Sequence, residues 1–436
     1  MMTPHFYMRE ITQIQSGKKT HSIYYHTKFM LSRRREVHVE NLLSSLLVIT
    51  RTFLKMYKIL ICAVIFMLSE TCLCEVSILD KTELVLAFMV HRHGDRTPVK
   101  TTIQFASDKD SVLEKTKKYG YGQLTDKGRL RGYELGKFIR RRYGSQLSDQ
   151  YNASEIFIRS TDSTRTKMTV LAAMAAVYPP GKDNWSKDIN WTPVPYTTRR
   201  AKYDSLLPTV NCPVLSNIFA NNLSKSPPTM TKYERVMEEI SNTFDINVSL
   251  SPVTLYVIND MFVSQISLGV PLPKNLEDLL PQIVEGAGQA MDILFGDDKY
   301  LSLYSGVHLQ EFFDAVDKVI NGRDVPRIQV YSAHDDNVFT FSSITRINPR
   351  LGVPKYGSLF SLELRRDLQT GEYIVVPVFL EEPGADEVYL QVDGCDGFCD
   401  LDSFRSLTST YVLNETEWRT ACGFSEDLDF DTSSID

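Results

Sequence analysis

The chain has only one long apolar run, and that run lies near its start. Residues 56–74 have the layout of a secretory signal peptide, because Lys58 precedes the apolar run 59–68 and polar sequence follows. The run is short for a membrane span and Glu70 ends it, so we expect cleavage near residue 74 rather than a signal anchor with a basic tail. Residues 1–55 show no sustained amphipathic pattern and are expected to be an unstructured extension. The mature chain should therefore have no stable membrane span.

Basic residues are scarce once this leader is removed. The cut takes away ten of the 48 basic and four of the 54 acidic residues, which leaves 38 against 50 and a net charge of −12. Such a balance argues against nucleic-acid binding. With 43% hydrophobic and 23% charged residues, the chain suits a soluble globular protein of one large or two moderate domains.

Cysteine is scarce as well, and the four that follow the leader are Cys212, Cys395, Cys399 and Cys422. An even number in a chain that meets an oxidising compartment predicts two disulfides. Cys395 and Cys399 are close enough to close a tight loop through Gly397, although the four residues allow three connectivities. No histidine has ligand spacing from these cysteines, so a zinc site is the weaker interpretation and no metal is expected.

Glycosylation acceptor sequences fit the same compartment. Six of them in a chain with a signal peptide predict a glycosylated protein that is secreted or lumenal. The acceptor residues are Asn152, Asn184, Asn190, Asn222, Asn247 and Asn414.

Three short apolar runs each end directly before an arginine or a histidine. They are 84–90 before Arg92 and His93, 156–158 before Arg159, and 328–331 before His334. Their composition predicts buried parallel strands. Because open α/β sheets bind ligands outside the carboxyl ends of their strands, the three ends should converge on one crevice.

Helical patterns alternate with these strands. One helix is predicted from Thr125 to Gly144 and another over 164–178, and the alternation favours a doubly wound α/β sheet flanked by helices. Segments 359–365 and 373–379 have the pattern of a hairpin, which makes the sheet mixed.

Helical segments broken by prolines predict a smaller inserted cap domain over residues 213–304. The α/β core is then formed by residues 75–212 and 305–436.

Residues 92–98 read Arg-His-Gly-Asp-Arg-Thr-Pro and place His93 between Arg92 and Arg96 at the end of the first predicted strand. Guanidinium groups are planar forks of donors that match phosphate oxygens. A neutral imidazole can attack phosphorus while its second nitrogen is held by a hydrogen bond. The segment therefore predicts a nucleophile within an anion-binding site. It resembles the signature of the histidine acid phosphatases, the secreted and lysosomal branch of the histidine phosphatase superfamily.

The resemblance runs from about residue 84 to residue 422. Residues 331–337 are similar to the second element of the family, which implies that His334 contacts the phosphoryl oxygens and that Asp335 protonates the leaving group. The resemblance also favours one disulfide pairing, Cys212 with Cys422 and Cys395 with Cys399.

Residues 159–166 are similar to the third arginine element of the family. On this basis Arg159 is assigned to bind phosphate together with Arg92, Arg96 and His334. One departure is Ser163-Thr164, where many relatives have an acidic residue near Arg165.

Other residues near these motifs are given no direct chemistry. His91 alternates away from Arg92 and is expected to face packing or the pocket rim. Asp95 is expected to orient the arginines as an ion-pair partner, and Asp336 is expected to be structural.

The sequence thus predicts an acid phosphatase that hydrolyses small phosphate monoesters through a phosphohistidine on His93, without metal or cofactor. An inositol polyphosphate phosphatase or phytase is the related alternative, although it would need a more basic pocket. A catalytically silent secreted binding protein is the alternative from another class, and the intact set of site residues argues against it. The expected location is the extracellular space or the lysosomal lumen, and the sequence leaves a homodimer open.

Overall fold

The computed structural model describes residues 80–181, 185–223 and 226–430. The predicted extension 1–55, the predicted signal peptide 56–74 and Asn184 lie outside the described residues. The strands, numbered in chain order, are β1 Thr82–Arg92, β2 Ile156–Ser160, β3 Thr197–Thr198, β4 Ile328–Ala333, β5 Leu359–Asp367, β6 Tyr373–Leu380, β7 Val388–Tyr389 and β8 Cys399–Asp400. The α-helices are α1 Lys109–Lys117, α2 Asp126–Tyr143, α3 Thr164–Val177, α4 Pro208–Asn211, α5 Pro213–Asn221, α6 Glu234–Phe244, α7 Pro252–Ser267, α8 Lys274–Phe295, α9 Leu301–Ile320, α10 Asp335–Ile344, α11 Leu401–Thr408 and α12 Glu415–Cys422.

The strands form a mixed sheet in the order β3-β2-β4-β1-β5-β6-β7, with β8 paired to β6. Strands β1 and β2 each pair in parallel with β4. Strand β5 pairs antiparallel with both β1 and β6, which confirms the predicted hairpin. The predicted mixed α/β sheet is confirmed, and its three predicted parallel strands lie side by side. Each of the three runs two residues further at its carboxyl end than predicted.

Both faces of the sheet are buried, which explains why its strands are continuously apolar rather than alternating. On β1, Ala87 and Met89 pack in one cluster with α2 and α3. Phe88 and Val90 pack in another cluster with α9 and α10. Burial of each large apolar side chain contributes roughly 1.5–3 kcal/mol, so β1 anchors the layers on both sides.

Helix α2 begins where the sequence predicts. The Thr125 hydroxyl accepts a hydrogen bond from the Gly128 N–H at 3.1 Å and caps the helix. Further along, a Cβ on Gly136 would overlap the Ala173 carbonyl oxygen of α3. Glycine at this position therefore lets α2 and α3 pack closely over the sheet.

The segment between residues 213 and 304 is largely helical, as predicted. Helices α6, α7 and α8 pack around an apolar cluster that includes Ile240, Phe262 and Ile283. The end of α8 belongs to a different cluster, in which Phe295 packs with Phe339 of α10. Lys81–Asp436 form one compact unit, and the division into a core and a cap remains a prediction.

Two disulfides are present, Cys212–Cys422 and Cys395–Cys399, which is the pairing that the resemblance favours. The first joins the start of α5 to the end of α12 across 210 residues of sequence. Among the described residues, no helix combines the length and apolar character needed to cross a bilayer.

The described acceptor asparagines lie at the surface. Asn222 is half-buried, and the exposed ones are Asn152, Asn190, Asn247 and Asn414. Their glycosylation remains a prediction.

Candidate active site

His93 follows the last residue of β1 and is fixed by hydrogen bonds on both sides of its backbone. Its N–H donates to the Ala333 carbonyl at 3.0 Å, and its carbonyl accepts from the Gly357 N–H at 3.0 Å. In the side chain, Nδ1 lies 2.8 Å from the Gly94 carbonyl oxygen. Because a carbonyl oxygen can only accept, Nδ1 carries the proton and Nε2 keeps its lone pair. This is the tautomer that a nucleophilic imidazole needs.

Gly94 allows the loop that holds His93 to pass against α2. A Cβ at this position would overlap the carbonyl oxygen of Gly128, in the first turn of α2. The Gly94 N–H also donates to Thr169 Oγ1 of α3 at 3.1 Å. The absence of a side chain at Gly94 and its backbone hydrogen bond thus couple the position of His93 to the two helices that cover the sheet.

His334 and Asp335 lie where β4 ends and α10 begins, beside His93. The two imidazole rings are 5.5 Å apart between their centroids. Asp335 Oδ2 accepts a hydrogen bond from the Tyr256 hydroxyl at 3.0 Å and lies 3.1 Å from Arg92 Nη2. The structure therefore brings together the two predicted catalytic residues, and it adds Tyr256 of α7, which has no sequence motif.

Arg92 and Arg96 are held mainly through their terminal nitrogens. Arg92 Nη1 donates to the Pro354 carbonyl at 2.7 Å, and its guanidinium lies 4.3 Å from the centre of the Tyr356 ring. Arg96 Nη2 contacts both carboxylate oxygens of Asp260 at 2.8 Å. The Nε atoms of both arginines are buried, and no group in the described part of the chain accepts from them. A buried donor without an acceptor is costly, so both are available to an anionic ligand.

Arg159 does not lie with the other predicted phosphate ligands, which corrects the sequence analysis. Its guanidinium pairs with Asp204 and lies 3.2 Å from Glu311 Oε1 of α9. The reason is strand alternation, since Arg159 is still within β2 and shares the sheet face of Phe157, which packs on the α9 side. Arg92 and Arg159 are both absent from the lining of the cavity around His93, but Arg92 contacts Asp335 of that lining at 3.1 Å, whereas Asp204 and Glu311 lie outside it.

Arg165 occupies the position that the sequence analysis gave to Arg159. It lies in the first turn of α3, beyond the carboxyl end of β2, and lines the same cavity as His93. Its Nη2 is 3.4 Å from His334 Nδ1. The quoted segment 159–166 contains both arginines, so the resemblance alone did not separate them. A first-turn position after a strand end is the signal that points to Arg165.

Burial and the positive charges of Arg165 and Arg92 hold the pKa of both His93 and His334 well below the ordinary range. Both effects favour the neutral form of the two rings. The next carboxyl along α10, Asp336, lines the same cavity. Burial and the neighbouring carboxylate raise its pKa to about 7, so it is protonated at acid pH.

His91 and Asp95 support the site without lining the cavity around the nucleophile. His91 is fully buried in the sheet, and burial lowers its pKa to about 4, which agrees with the expected packing role. Asp95 pairs with Arg131 of α2 rather than with Arg92 or Arg96. The orienting carboxylate predicted at Asp95 therefore acts on α2.

The site opens into a cavity of about 470 Å³. The charged residues that line it are the cations Arg96 and Arg165 and the acids Asp260, Asp335 and Asp336. Apolar and hydroxyl side chains form the rest of the wall, among them Thr102, Leu207, Phe219, Val253 and Phe295. The cavity thus joins a compact anion site to a largely uncharged chamber.

Comparison with known proteins finds phosphatases among the relatives of this chain. Residues 83–249 match the model of the histidine phosphatase superfamily, branch 2. The prostatic acid phosphatase of Mus musculus is 29% identical over 351 residues, which cover 78% of this chain and 89% of that protein. The lysosomal acid phosphatase of Rattus norvegicus is 27% identical, over 82% of this chain and 84% of that protein. A venom acid phosphatase of Apis mellifera is 26% identical, over 77% and 87%.

Solved structures share the fold. The apo phytase of Hafnia alvei aligns with a TM-score of 0.58 at 16% identity, over 78% of this chain and 98% of that one. The phytase of Citrobacter braakii aligns with a TM-score of 0.56 at 16% identity, over 76% and 99%.

Fold, site and relatives together define a hydrolase of the phosphatase class. More particularly, the chain is similar to the histidine acid phosphatases, which form part of branch 2 of the histidine phosphatase superfamily.

Proposed function

We propose that this phosphatase hydrolyses phosphate monoesters through a phosphohistidine on His93, with Asp335 as the proton donor. The observation that carries the proposal is the state of the His93 ring. Its Nδ1 proton is bound by the Gly94 carbonyl, and its pKa lies well below the ordinary range because of burial and nearby arginines. Nε2 therefore keeps the lone pair that a nucleophile needs, and the lowered pKa favours this neutral form.

The reaction proceeds in two steps. First, His93 Nε2 forms a bond to phosphorus while the bond from phosphorus to the ester oxygen breaks, and Asp335 gives its proton to that oxygen. A water molecule then attacks phosphorus, its proton passes to Asp335, and the N–P bond breaks to release inorganic phosphate. Asp335 must start protonated, so activity should favour acid pH.

We assign His334 to a phosphoryl oxygen through its Nε2–H, which lies 3.1 Å from Thr161 Oγ1 before a substrate binds. The other donors to the phosphoryl oxygens are the Nε–H groups of Arg92 and Arg96 and the Arg165 guanidinium. These donors are fixed before the substrate arrives, which is the condition under which they stabilise developing charge most strongly. The hydroxyl of Tyr256 holds the Asp335 carboxyl beside them.

The cavity favours small monoesters over inositol polyphosphates. A substrate with several phosphates needs cations beyond those that bind the reacting group. Apart from Arg96 and Arg165, the residues that line this cavity supply no positive charge. A neighbouring cavity of about 620 Å³ is lined by Lys127, Arg131 and Lys355, but each of these cations already pairs with a carboxylate. Leaving groups with apolar or aryl character fit the wall around Leu207, Phe219 and Phe295.

The same proposal includes a secreted or lysosomal location. The matched relatives bear the names of prostatic, lysosomal and venom enzymes. Two disulfides and exposed acceptor asparagines support a lumenal or extracellular environment.

The test compares purified mature protein with His93→Ala and Asp335→Asn on two esters at about pH 5 with EDTA present. His93→Ala should lose turnover on both. Asp335→Asn should lose much more activity on an alkyl phosphate than on p-nitrophenyl phosphate, because p-nitrophenolate leaves without a proton. Rapid quenching of Asp335→Asn with ³²P-labelled substrate should also trap an acid-labile, base-stable phosphoprotein.

The matched control is His91→Asn. It removes a buried imidazole next to Arg92 and leaves the nucleophile His93 in place. Turnover that persists in His93→Ala, or equal losses on both esters in Asp335→Asn, would contradict the assigned roles.

A further inference from the structure

A carboxylate that the proposed mechanism does not use lies inside the anion site. Asp260 of α7 places both carboxylate oxygens 2.8 Å from Arg96 Nη2. Its Oδ1 is also 3.7 Å from Arg92 Nη2. The Asp260 side chain is only 12% exposed, so water screens it weakly. An anion therefore occupies part of the site that is proposed to bind an anion.

The hydrogen bonds of Arg96 show what Asp260 competes for. Arg96 Nη1 donates to the Thr97 carbonyl at 3.1 Å and to Ser264 Oγ at 3.3 Å. Asp260 takes Nη2, and Nε is the buried nitrogen that no described group accepts from. A bound phosphoryl group could therefore accept from Arg96 Nε without competition, but it would compete with the Asp260 carboxylate for Arg96 Nη2.

The negative charge of Asp260 also lowers the affinity of the site for an anion. Asp260 and Asp335 face the guanidiniums of Arg92, Arg96 and Arg165, so the formal charge of the cluster is only one positive when both acids are ionised. At separations of a few ångströms in a partly buried site, one unit charge changes anion affinity strongly. Asp260 should therefore weaken every bound anion, and a dianion more than a monoanion.

We propose that Asp260 is an internal competitor for the Arg92–Arg96 pair that sets the affinity of the site for phosphate and so promotes release of the product. The inference rests on the proposed function, because it concerns the same phosphate site. The chemical reason is that inorganic phosphate presents the same oxygens as the substrate. Binding that is equally strong for substrate and product would slow release without accelerating the chemical step.

The experiment measures anion binding by isothermal titration calorimetry at about pH 5, with no turnover required. The probes are inorganic phosphate, which keeps its second proton there, and sulfate, an isosteric dianion. Asp260→Asn keeps an oxygen that can accept from Arg96 and removes the charge, and Asp260→Ser is a second variant if the first folds poorly. Asp260→Glu keeps the charge. Ser264→Ala removes an uncharged partner of Arg96 and serves as the matched control.

The neutral variants should bind phosphate about tenfold tighter or more, and sulfate should gain by a larger factor. In steady state their inhibition constant for phosphate should fall together with kcat, while Asp260→Glu, which keeps the charge, should gain no affinity for phosphate. Weaker or unchanged binding in the neutral variants would overturn the inference, because Asp260 would then only position Arg96. Equal gains for both anions, or a gain in Ser264→Ala, would overturn it as well. If the parent protein binds neither anion, the phosphate site itself is wrong and the proposed function fails first.

Discussion

Arg165 and Arg159 are six residues apart, and the structure predicts different effects of their substitution. Substitution of Arg165 should remove activity, and substitution of Arg159 should reduce stability. Arg165 lines the cavity beside His93, whereas Arg159 lies between Asp204 and Glu311 on the opposite face of the sheet. Arg165→Ala should therefore abolish activity in a stable protein. Arg159→Leu should unfold easily and yet remain active while folded.

The magnitude for Arg165 follows from its proposed contact with a phosphoryl oxygen. Removal of one preorganised donor of this kind costs about 10²–10³ in kcat, or ~3–4 kcal/mol of transition-state stabilisation. After burial, Arg165 is also the first cause of the low pKa of His93. In Arg165→Ala the pKa of His93 should rise, so less of the imidazole is neutral at low pH. The activity loss should therefore be greater at about pH 4.5 than at about pH 6.5.

The magnitude for Arg159 follows from its buried ion pairs. Asp204 is fully buried, so Arg159→Leu leaves a carboxylate without its cation. Breaking a buried pair in this way costs about 3–5 kcal/mol of folding free energy. The kcat/KM of the folded fraction should stay within about tenfold of the parent value, because the substituted side chain does not touch the cavity.

The assay combines pH profiles of kcat/KM on an aryl phosphate with urea unfolding of the same preparations. Arg165→Lys adds a control that keeps the charge and loses the planar fork, and it should recover part of the activity. The reasoning is refuted if Arg159→Leu loses about a hundredfold in kcat/KM at unchanged stability while Arg165→Ala stays active.

Three further predictions concern stability. The native pKa of His91 is about 4 against an ordinary 6.5, so native stability falls as pH drops from about 6.5 towards 4. At pH 5 this effect costs the parent protein about 2 kcal/mol of unfolding free energy, and His91→Leu should not show that cost. Urea unfolding of both proteins at pH 5 and 7.5 would measure the difference. Gly94→Ala should cost about 1–3 kcal/mol in the same assay and lower kcat, because its Cβ overlaps the Gly128 carbonyl. Replacing Cys212 and Cys422 by serine should cost about 5 kcal/mol across 210 residues, and the pair Cys395 and Cys399, four residues apart, only about 2 kcal/mol.

The fold was predictable where local pattern and burial agree. Buried parallel strands are continuously apolar, so β1, β2 and β4 could be located from runs that end before charged residues. Thr125 and Gly144 mark the ends of α2 because capping is a local property of the chain. The division into a core and a cap depends on how clusters from distant segments meet, and periodicity does not record that.

The site was predictable where its residues are neighbours in sequence. His93 lies in one motif and Asp335 in another, and adjacent parallel strands bring the two together. Asp260 and Tyr256 come from a helix with no motif, more than 150 residues from the nucleophile, so only the tertiary fold shows their role. Arg159 was placed wrongly because its assignment followed the family resemblance. Strand alternation puts Arg159 on the same sheet face as Phe157, two residues earlier, and this was readable from the sequence.

The low pKa of His93 resolves a conflict inherent in acid-dependent phosphoryl transfer. The leaving group needs a protonated acid, while the nucleophile has to be an unprotonated imidazole. At pH 5 an imidazole with a pKa of 6.5 is only about 3% neutral, so an ordinary histidine would lose about thirtyfold in reactive form. Burial together with Arg165 and Arg92 lowers the pKa of His93, which shifts the ring towards its neutral form. The guanidiniums that are proposed to bind the phosphoryl group thus also favour the neutral form of its nucleophile.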